Sequence, residues 1–236
     1  MQGPSPLLAI HGVAKSFGSF EVLRAVHFSV RQGEVLGLIG PNGSGKTTLL
    51  ECLAGLQATN GGEVRSLGTP LAPRKRRAVM FYLPENVVPY PEHHLCEVLA
   101  FFARVYRRPG TRDVVDLLGL SQSLARRVCQ LSKGERRRLL LAIGLLTPHP
   151  ILLMDEPFDG LDFRQTREAM AVLRSFAAQG RTLILSIHQL VDAERVCDRF
   201  VLLSHGRVAG EGTLAELQER AGQAGGSLED IFLALS

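Results

Sequence analysis

The chain has little lysine. Of its 27 basic residues only Lys15, Lys46, Lys75 and Lys133 are lysines, and the rest are arginines. With 23 acidic residues the net charge is a modest +4, so the arginine bias reads as genome composition rather than as a nucleic-acid surface, and no direct nucleic-acid partner is expected. Cysteine is also scarce. Cys52, Cys96, Cys129 and Cys197 show neither CxxC nor Cys/His spacing, which leaves free, mostly core thiols in a reducing cytosol. Long apolar runs are missing: the longest is about eight residues, against the roughly 20 needed to span a bilayer. If a membrane matters, another chain must supply it. The opening MQGPSPLLAIHG lacks a charged segment followed by an apolar one, so no signal peptide is expected. With 45% hydrophobic and 21% charged residues, disorder is not indicated.

What is present alternates. Residues 7–30 carry two stretches of apolar–polar alternation around FGSF, the pattern of an antiparallel pair. EVLGLIG (34–40) is a buried-strand run, and KTTLLECLAG after it has helical spacing ending at Gly55. GGEVRSLG and AVMFYLP read as strands separated by a basic run, RKRR (74–77), expected to be a solvated loop. From about 92 to 146 the pattern turns helical, with Leu95, Val98, Leu99, Phe102 and Val105 in one stripe, then DVVDLLGL and the stretch after Gln130. Strand ILLMDEP, helix 163–179, strand TLILSIH, a short helix to about Cys197, and a hairpin turning at His205-Gly206 follow. TLAE opens a helix, and a GQAGG linker leads to a last amphipathic segment, LEDIFLAL. This order predicts an α/β fold with a parallel-sheet core, an N-terminal antiparallel β part and an inserted α-helical subdomain. We divide the single domain, 1–236, into a core of 1–91 and 147–220, a helical subdomain of 92–146 and a short tail of 221–236.

GPNGSGKT (40–47) matches G-x-x-x-x-G-K-[ST] between a strand and a helix, as that phosphate-binding loop requires. Gly43 and Gly45 let the backbone wrap so that successive N–H groups, from Asn42 and Ser44 through Thr48, point at phosphate oxygens. Lys46 brings positive charge to the β- and γ-phosphates, and the Thr47 hydroxyl can ligate Mg²⁺. These residues imply a bound nucleoside triphosphate without separating kinases, GTPases and ATPases. In ILLMDEP four apolar residues deliver Asp155 and Glu156 to a strand end, where open α/β sheets bind ligands. Asp155 can hold Mg²⁺ through water and Glu156 can polarise an attacking water. His188, after the next strand, can touch the γ-phosphate or orient that water.

QLSKGERRRLL (130–140) is open to two readings. Ser132 and Glu135 fit a capping box ahead of a buried helix, and the same helix start fits an anion site.

The order GPNGSGKTT, LSKGE, ILLMDEP, FDGLD and a lone His after the next strand resembles the nucleotide-binding subunit of an ABC transporter over about residues 7–220. The resemblance implies an ATPase using ATP and Mg²⁺, in which 131–135 is the signature motif. It closes over the nucleotide of a second copy, with Ser132, Gly134 and Glu135 at the ATP and the following arginines mostly solvated or subunit-facing. It places Phe17 against adenine, where Tyr is usual, and makes Asp159 to Asp162 the loop that connects the two sites. Two positions depart from the family pattern. Lys133 stands where a glycine is usual, and Glu85, in FYLPEN, stands where a Mg²⁺-contacting Gln is usual; its carboxylate can still serve as a metal ligand. LSKG, YLPE and the tail GGSLEDIFLAL resemble ATPases of type-2 exporters. The implied partners are separate polytopic permease subunits and a second copy of this chain, at the cytoplasmic face of the membrane as a peripheral protein. Phe101, Phe102 and Tyr106 are candidates for the groove that receives the permease. An importer ATPase and a soluble ATPase of the same type are the alternatives.

Overall fold

In the computed structural model, which describes residues 6–107 and 111–236, ten strands and nine α-helices follow one another along the described chain. β1 (Leu8–Phe17) and β2 (Phe20–Val30) pair antiparallel, with Phe17 opposite Phe20 across the turn. β3 (Val35–Ile39) leads into α1 (Lys46–Ala54), which Gly55 closes in a left-handed conformation. β4 (Gly61–Ser66), β5 (Thr69–Pro70), the one-turn α2 (Pro73–Arg76) and β6 (Met80–Leu83) follow. Three helices come next: α3 (Leu95–Val105), α4 (Thr111–Leu117) and α5 (Lys133–Leu146). The chain then runs through β7 (Ile151–Asp155), α6 (Phe163–Ala178), β8 (Thr182–Ile187), α7 (Leu190–Val196), β9 (Arg199–Ser204) and β10 (Arg207–Gly212). It ends with α8 (Leu214–Ala221) and α9 (Leu228–Leu235).

The strands form two sheets. One is antiparallel, in the order β2-β1-β4-β5. The other runs β10-β9-β3-β8-β7-β6 and is parallel except for β10. Period-two alternation gives the larger sheet two apolar faces. Leu36 and Leu38 of β3, with Ile151 and Leu153 of β7, pack with Leu49 and Leu53 of α1 and the inner side of the antiparallel sheet. Val35, Ile39, Leu152 and Met154 face the opposite way, into the core shared with α5, α6 and α7. Where α5 crosses the sheet, a Cβ at Gly144 would come within 2.5 Å of the Leu83 Cδ1, so a larger residue there would require the Leu83 side chain to move.

Several expectations are corrected. RKRR is not a solvated loop throughout: Arg76 is buried in α2, donating to the Leu71 carbonyl and to the Cys52 carbonyl, which at the end of α1 also accepts the Gly55 N–H and has a lone pair left for the guanidinium. The α3 stripe ends early. Leu95, Val98 and Leu99 are core, whereas Val105 is exposed because the helix leaves the subdomain core at its last turn. Only two cysteines, Cys52 and Cys197, are buried; Cys96 and Cys129 are exposed. Among the described residues no helix is long and apolar enough to cross a membrane.

Candidate nucleotide site

The site lies at the C-terminal ends of three adjacent parallel strands, β3, β8 and β7, the place where an open α/β sheet offers a crevice. Each strand ends by delivering chemistry. From β3 the chain turns tightly at Gly40, where a Cβ would meet the Leu203 carbonyl at 2.3 Å. It then reaches Gly45, the residue before α1, at φ 104°. There a side chain would be strained and would also run into Leu23. Asn42, Gly43, Gly45, Lys46, Thr47 and Thr48 line an open cleft of about 310 Å³ together with Phe20, Val22, Glu85, Asp155 and Glu156. Ser44 is buried beneath the loop, and its hydroxyl makes no protein hydrogen bond.

Lys46 is buried, and its ammonium donates to the carbonyls of Gly40 at 2.7 Å and Pro41 at 3.2 Å. Burial lowers its pKa, and the nearby charges of Glu156 and Asp155 oppose that shift. From β7, the Asp155 carboxylate is buried and accepts three hydroxyls: Thr47 at 2.7 Å, Tyr82 at 3.4 Å and Ser186. Burial and the Asp155 charge raise the Tyr82 phenol well above its ordinary range, so it stays a donor. Glu156 stands in the left-handed region at φ 49°, unusual for a residue with a Cβ. Its N–H donates to the Ser186 hydroxyl at 3.1 Å and the Ser186 carbonyl at 3.2 Å, which holds that turn. From the end of β8, His188 Nδ1 lies 2.5 Å from Glu156 Oε2, and the His188 N–H donates to the same oxygen at 3.3 Å. With Glu156 ionised, Nδ1 must carry the hydrogen of that contact. Burial raises the Glu156 pKa, and His188 and Lys46 pull it back down.

The other expected residues lie apart from this cluster. Phe17 is half-exposed at the end of β1, with the Lys15 ammonium 4.7 Å from its ring centre; Phe20 and Val22, not Phe17, line the cleft. Ser132, Gly134 and Glu135 do not line it either. Ser132 caps α5, accepting from Glu135 N–H at 3.1 Å, while Glu135 accepts from Ser132 N–H at 2.8 Å. Glu135 also accepts from Ser123 at 2.5 Å and Arg126 at 2.7 Å. Burial raises its pKa, but those hydrogen bonds and the Arg126 charge outweigh burial and hold the carboxyl at about 2. Of the arginines after the signature, Arg137 is not solvated but buried, donating to the Glu85 carbonyl at 2.9 Å, because α5 packs against the loops that flank it. Sequence spacing alone does not mark Tyr82, Ser186 or Arg137. The signal for Ser186 was faint, a lone hydroxyl in the apolar run TLILSI, and Tyr82 stood likewise as a phenol in MFYL.

A phosphate loop at the mouth of a parallel sheet, with two acids on a neighbouring strand, defines a P-loop nucleoside triphosphatase core. The ABC transporter family model matches residues 23–159. An uncharacterised ABC transporter ATP-binding protein of Synechocystis sp. is 35% identical over 84% of this chain and 58% of its own length. The Nod factor export ATP-binding protein I of Paraburkholderia xenovorans is 34% identical over 97% of this chain and 77% of its own. The chain thus spans little more than half of the first relative and about three quarters of the second. A solved ATP-binding subunit of an ABC transporter superposes with a TM-score of 0.88 at 31% identity, covering 97% of this chain and 99% of that one. The chain belongs to the ABC transporter family, as an ATP-binding subunit with the family's ATPase domain.

Proposed function

We propose that this chain hydrolyses ATP at the Lys46–Asp155–Glu156 cleft to power a membrane exporter. The observation that carries the reading is the joined cluster at three strand ends, with Thr47 on Asp155 and Glu156 on His188. Backbone amides of 42–48 and Lys46 bind the phosphates. The donor set fits Mg²⁺: the Thr47 hydroxyl and the Asp155 carboxylate are hard oxygen ligands 2.7 Å apart, and the Glu85 carboxylate lines the same cleft. That cation, when bound, neutralises charge on the β- and γ-phosphates. Glu156 takes a proton from the attacking water, while His188 orients its carboxylate through the Nδ1 contact. Phe17 and its neighbours at the β1–β2 turn offer the adenine a flat apolar face.

The signature loop acts on a second copy. Its capping box takes up the amides of Ser132 and Glu135, and those of Lys133 and Gly134 remain at the helix tip for the phosphate of the facing chain. Two copies close head to tail on ATP and transmit that closure to polytopic permease subunits on the cytoplasmic side of the membrane. Tyr90, just before the helical subdomain, and Phe101 within it stand half-exposed beside Phe102 and Tyr106, an aromatic patch suited to a permease segment. Export is favoured by the likeness to Nod factor export ATP-binding proteins. The test is purification of the chain from its native membranes in mild detergent. A stoichiometric polytopic partner is expected, and recovery only from the soluble fraction overturns the transport reading.

A further inference from the structure

Lys133 and Arg137 stand one turn apart on α5, and both reach the loop that carries Glu156. Arg137 is only 5% exposed, yet among the described residues its hydrogen bonds go to backbone carbonyls and not to a carboxylate. Its guanidinium donates to three backbone carbonyls from two segments: Glu85 at 2.9 Å, and, on either side of Glu156, Asp155 and Asp159 at a looser 3.4 Å each. A buried charge is costly unless its donors are used, and only a planar fork of five N–H donors can span three such acceptors. The pinned points bracket the chemistry. Asp155 immediately precedes Glu156, Asp159 follows it by three residues, and Glu85 lines the same cleft. Between the two pins Glu156 holds its left-handed conformation, which the surroundings must enforce.

Lys133 fixes the outer end of the same loop. Its ammonium lies 2.6 Å from the Asp159 carboxylate, and its stem lies over Gly160, where a Cβ would come within 2.6 Å of the Lys133 Cγ. Gly160 sits at φ 80°, so the loop is shaped to receive that stem. The Lys133 side chain is 61% exposed, and an ion pair so placed adds little to folding stability. What it does is restrain a loop.

We propose that Arg137, assisted by Lys133, is a positioning residue for ATP hydrolysis. It sets the spacing between the Glu85 loop and the two sides of Glu156. The proposal rests on Glu156 as the base. The test compares the purified chain with Arg137→Lys, Lys133→Met, Asp159→Asn, the Lys133→Met/Asp159→Asn pair and Glu156→Gln, measuring kcat, KM for ATP and thermal unfolding. Arg137→Lys keeps the charge and loses the fork. We expect kcat to fall about tenfold or more with KM moved less than about threefold, since misplacing a catalytic group by a fraction of an ångström costs turnover rather than binding. Lys133→Met and Asp159→Asn should each lower kcat by about threefold, and their combination no further, because both cut one contact. Unchanged kcat in folded Arg137→Lys, or losses that multiply in the pair, overturns the proposal. Should Arg137→Lys fail to fold, the exposed Lys133–Asp159 cycle decides alone. Glu156→Gln separates the two claims: if it is inactive while the α5 variants turn over normally, positioning falls and the base stands. If Glu156→Gln turns over normally, the base reading falls, and the proposal that rests on it falls too.

Discussion

The phosphate cleft and the signature loop are built on opposite plans. In the cleft, side chains from the start of α1 and from β6, β7 and β8 meet one another: Thr47, Tyr82 and Ser186 converge on Asp155, and His188 converges on Glu156. Sheet register fixes those meetings, since Leu83 pairs with Met154 and Asp155 with Ser186 in neighbouring strands. The signature loop is local. Ser132 and Glu135 satisfy each other within four residues, Lys133 is held by Asp159, and none of them touches the cleft. A sheet assembles a site across the whole chain, whereas a helix tip can only be presented. The first site can be complete in one copy; the second needs a surface from outside to have anything to bind.

The largest effect expected from this contrast is at Glu156. Glu156→Gln keeps the shape and the His188 contact but cannot take a proton, so hydrolysis should slow by about two to four orders of magnitude while ATP binding persists. Burial also raises the Glu156 pKa. A base works only when ionised, so the wild-type rate should rise with pH through a value above the ordinary carboxylate range, and that limb should vanish in the variant. A steady-state pH series with an equilibrium ATP-binding measurement checks both; turnover within a few-fold of wild type breaks the assignment.

Ser132→Arg strikes the other region. It should abolish ATP-driven association of two copies, seen by sedimentation of the Glu156→Gln background with and without ATP. Nucleotide affinity of the single copy should change by less than about threefold, because Ser132 does not line the cleft. A loss of affinity in the isolated copy would show that the signature acts on its own nucleotide, and the contrast between the two regions would collapse.

The same contrast explains what could be read in advance. The phosphate loop, the acidic strand end and the capping box are contiguous in sequence, so spacing alone exposed them, and the alternation of strands and helices gave the layers. Partners brought in by sheet register left almost no mark. Nothing in MFYL or TLILSI says that Tyr82 and Ser186 will share Asp155, because that depends on which strands become neighbours. Charge misled where it was dense. RKRR and GERRR look solvated as runs, yet Arg76 and Arg137 turn inward to donate to backbone carbonyls, Leu71 and Cys52 for the first and Glu85 for the second. The left-handed Glu156 was illegible for the opposite reason, since no residue type announces it.

The smallest effect concerns how firmly the presented loop is built. Glu135 is held at about 2 by Ser123, Ser132 and Arg126, against an ordinary value near 4.5. A depressed carboxylate contributes stability that is fully present above its unfolded pKa and is lost as pH falls through its folded one. With the side chain only 14% exposed, the contribution at neutral pH is on the order of 2 kcal/mol. Glu135→Gln retains the reach of the capping box and removes the charge. Urea unfolding should therefore separate the two proteins by roughly that amount at pH 7, and the gap should narrow steadily below about pH 4.5 as the wild-type carboxyl approaches protonation. A gap that stays constant down to pH 2.5 would mean that shape, not charge, organises the start of α5. The loop would then be a plain helix cap that a second copy borrows, rather than one whose electrostatics are set within its own chain.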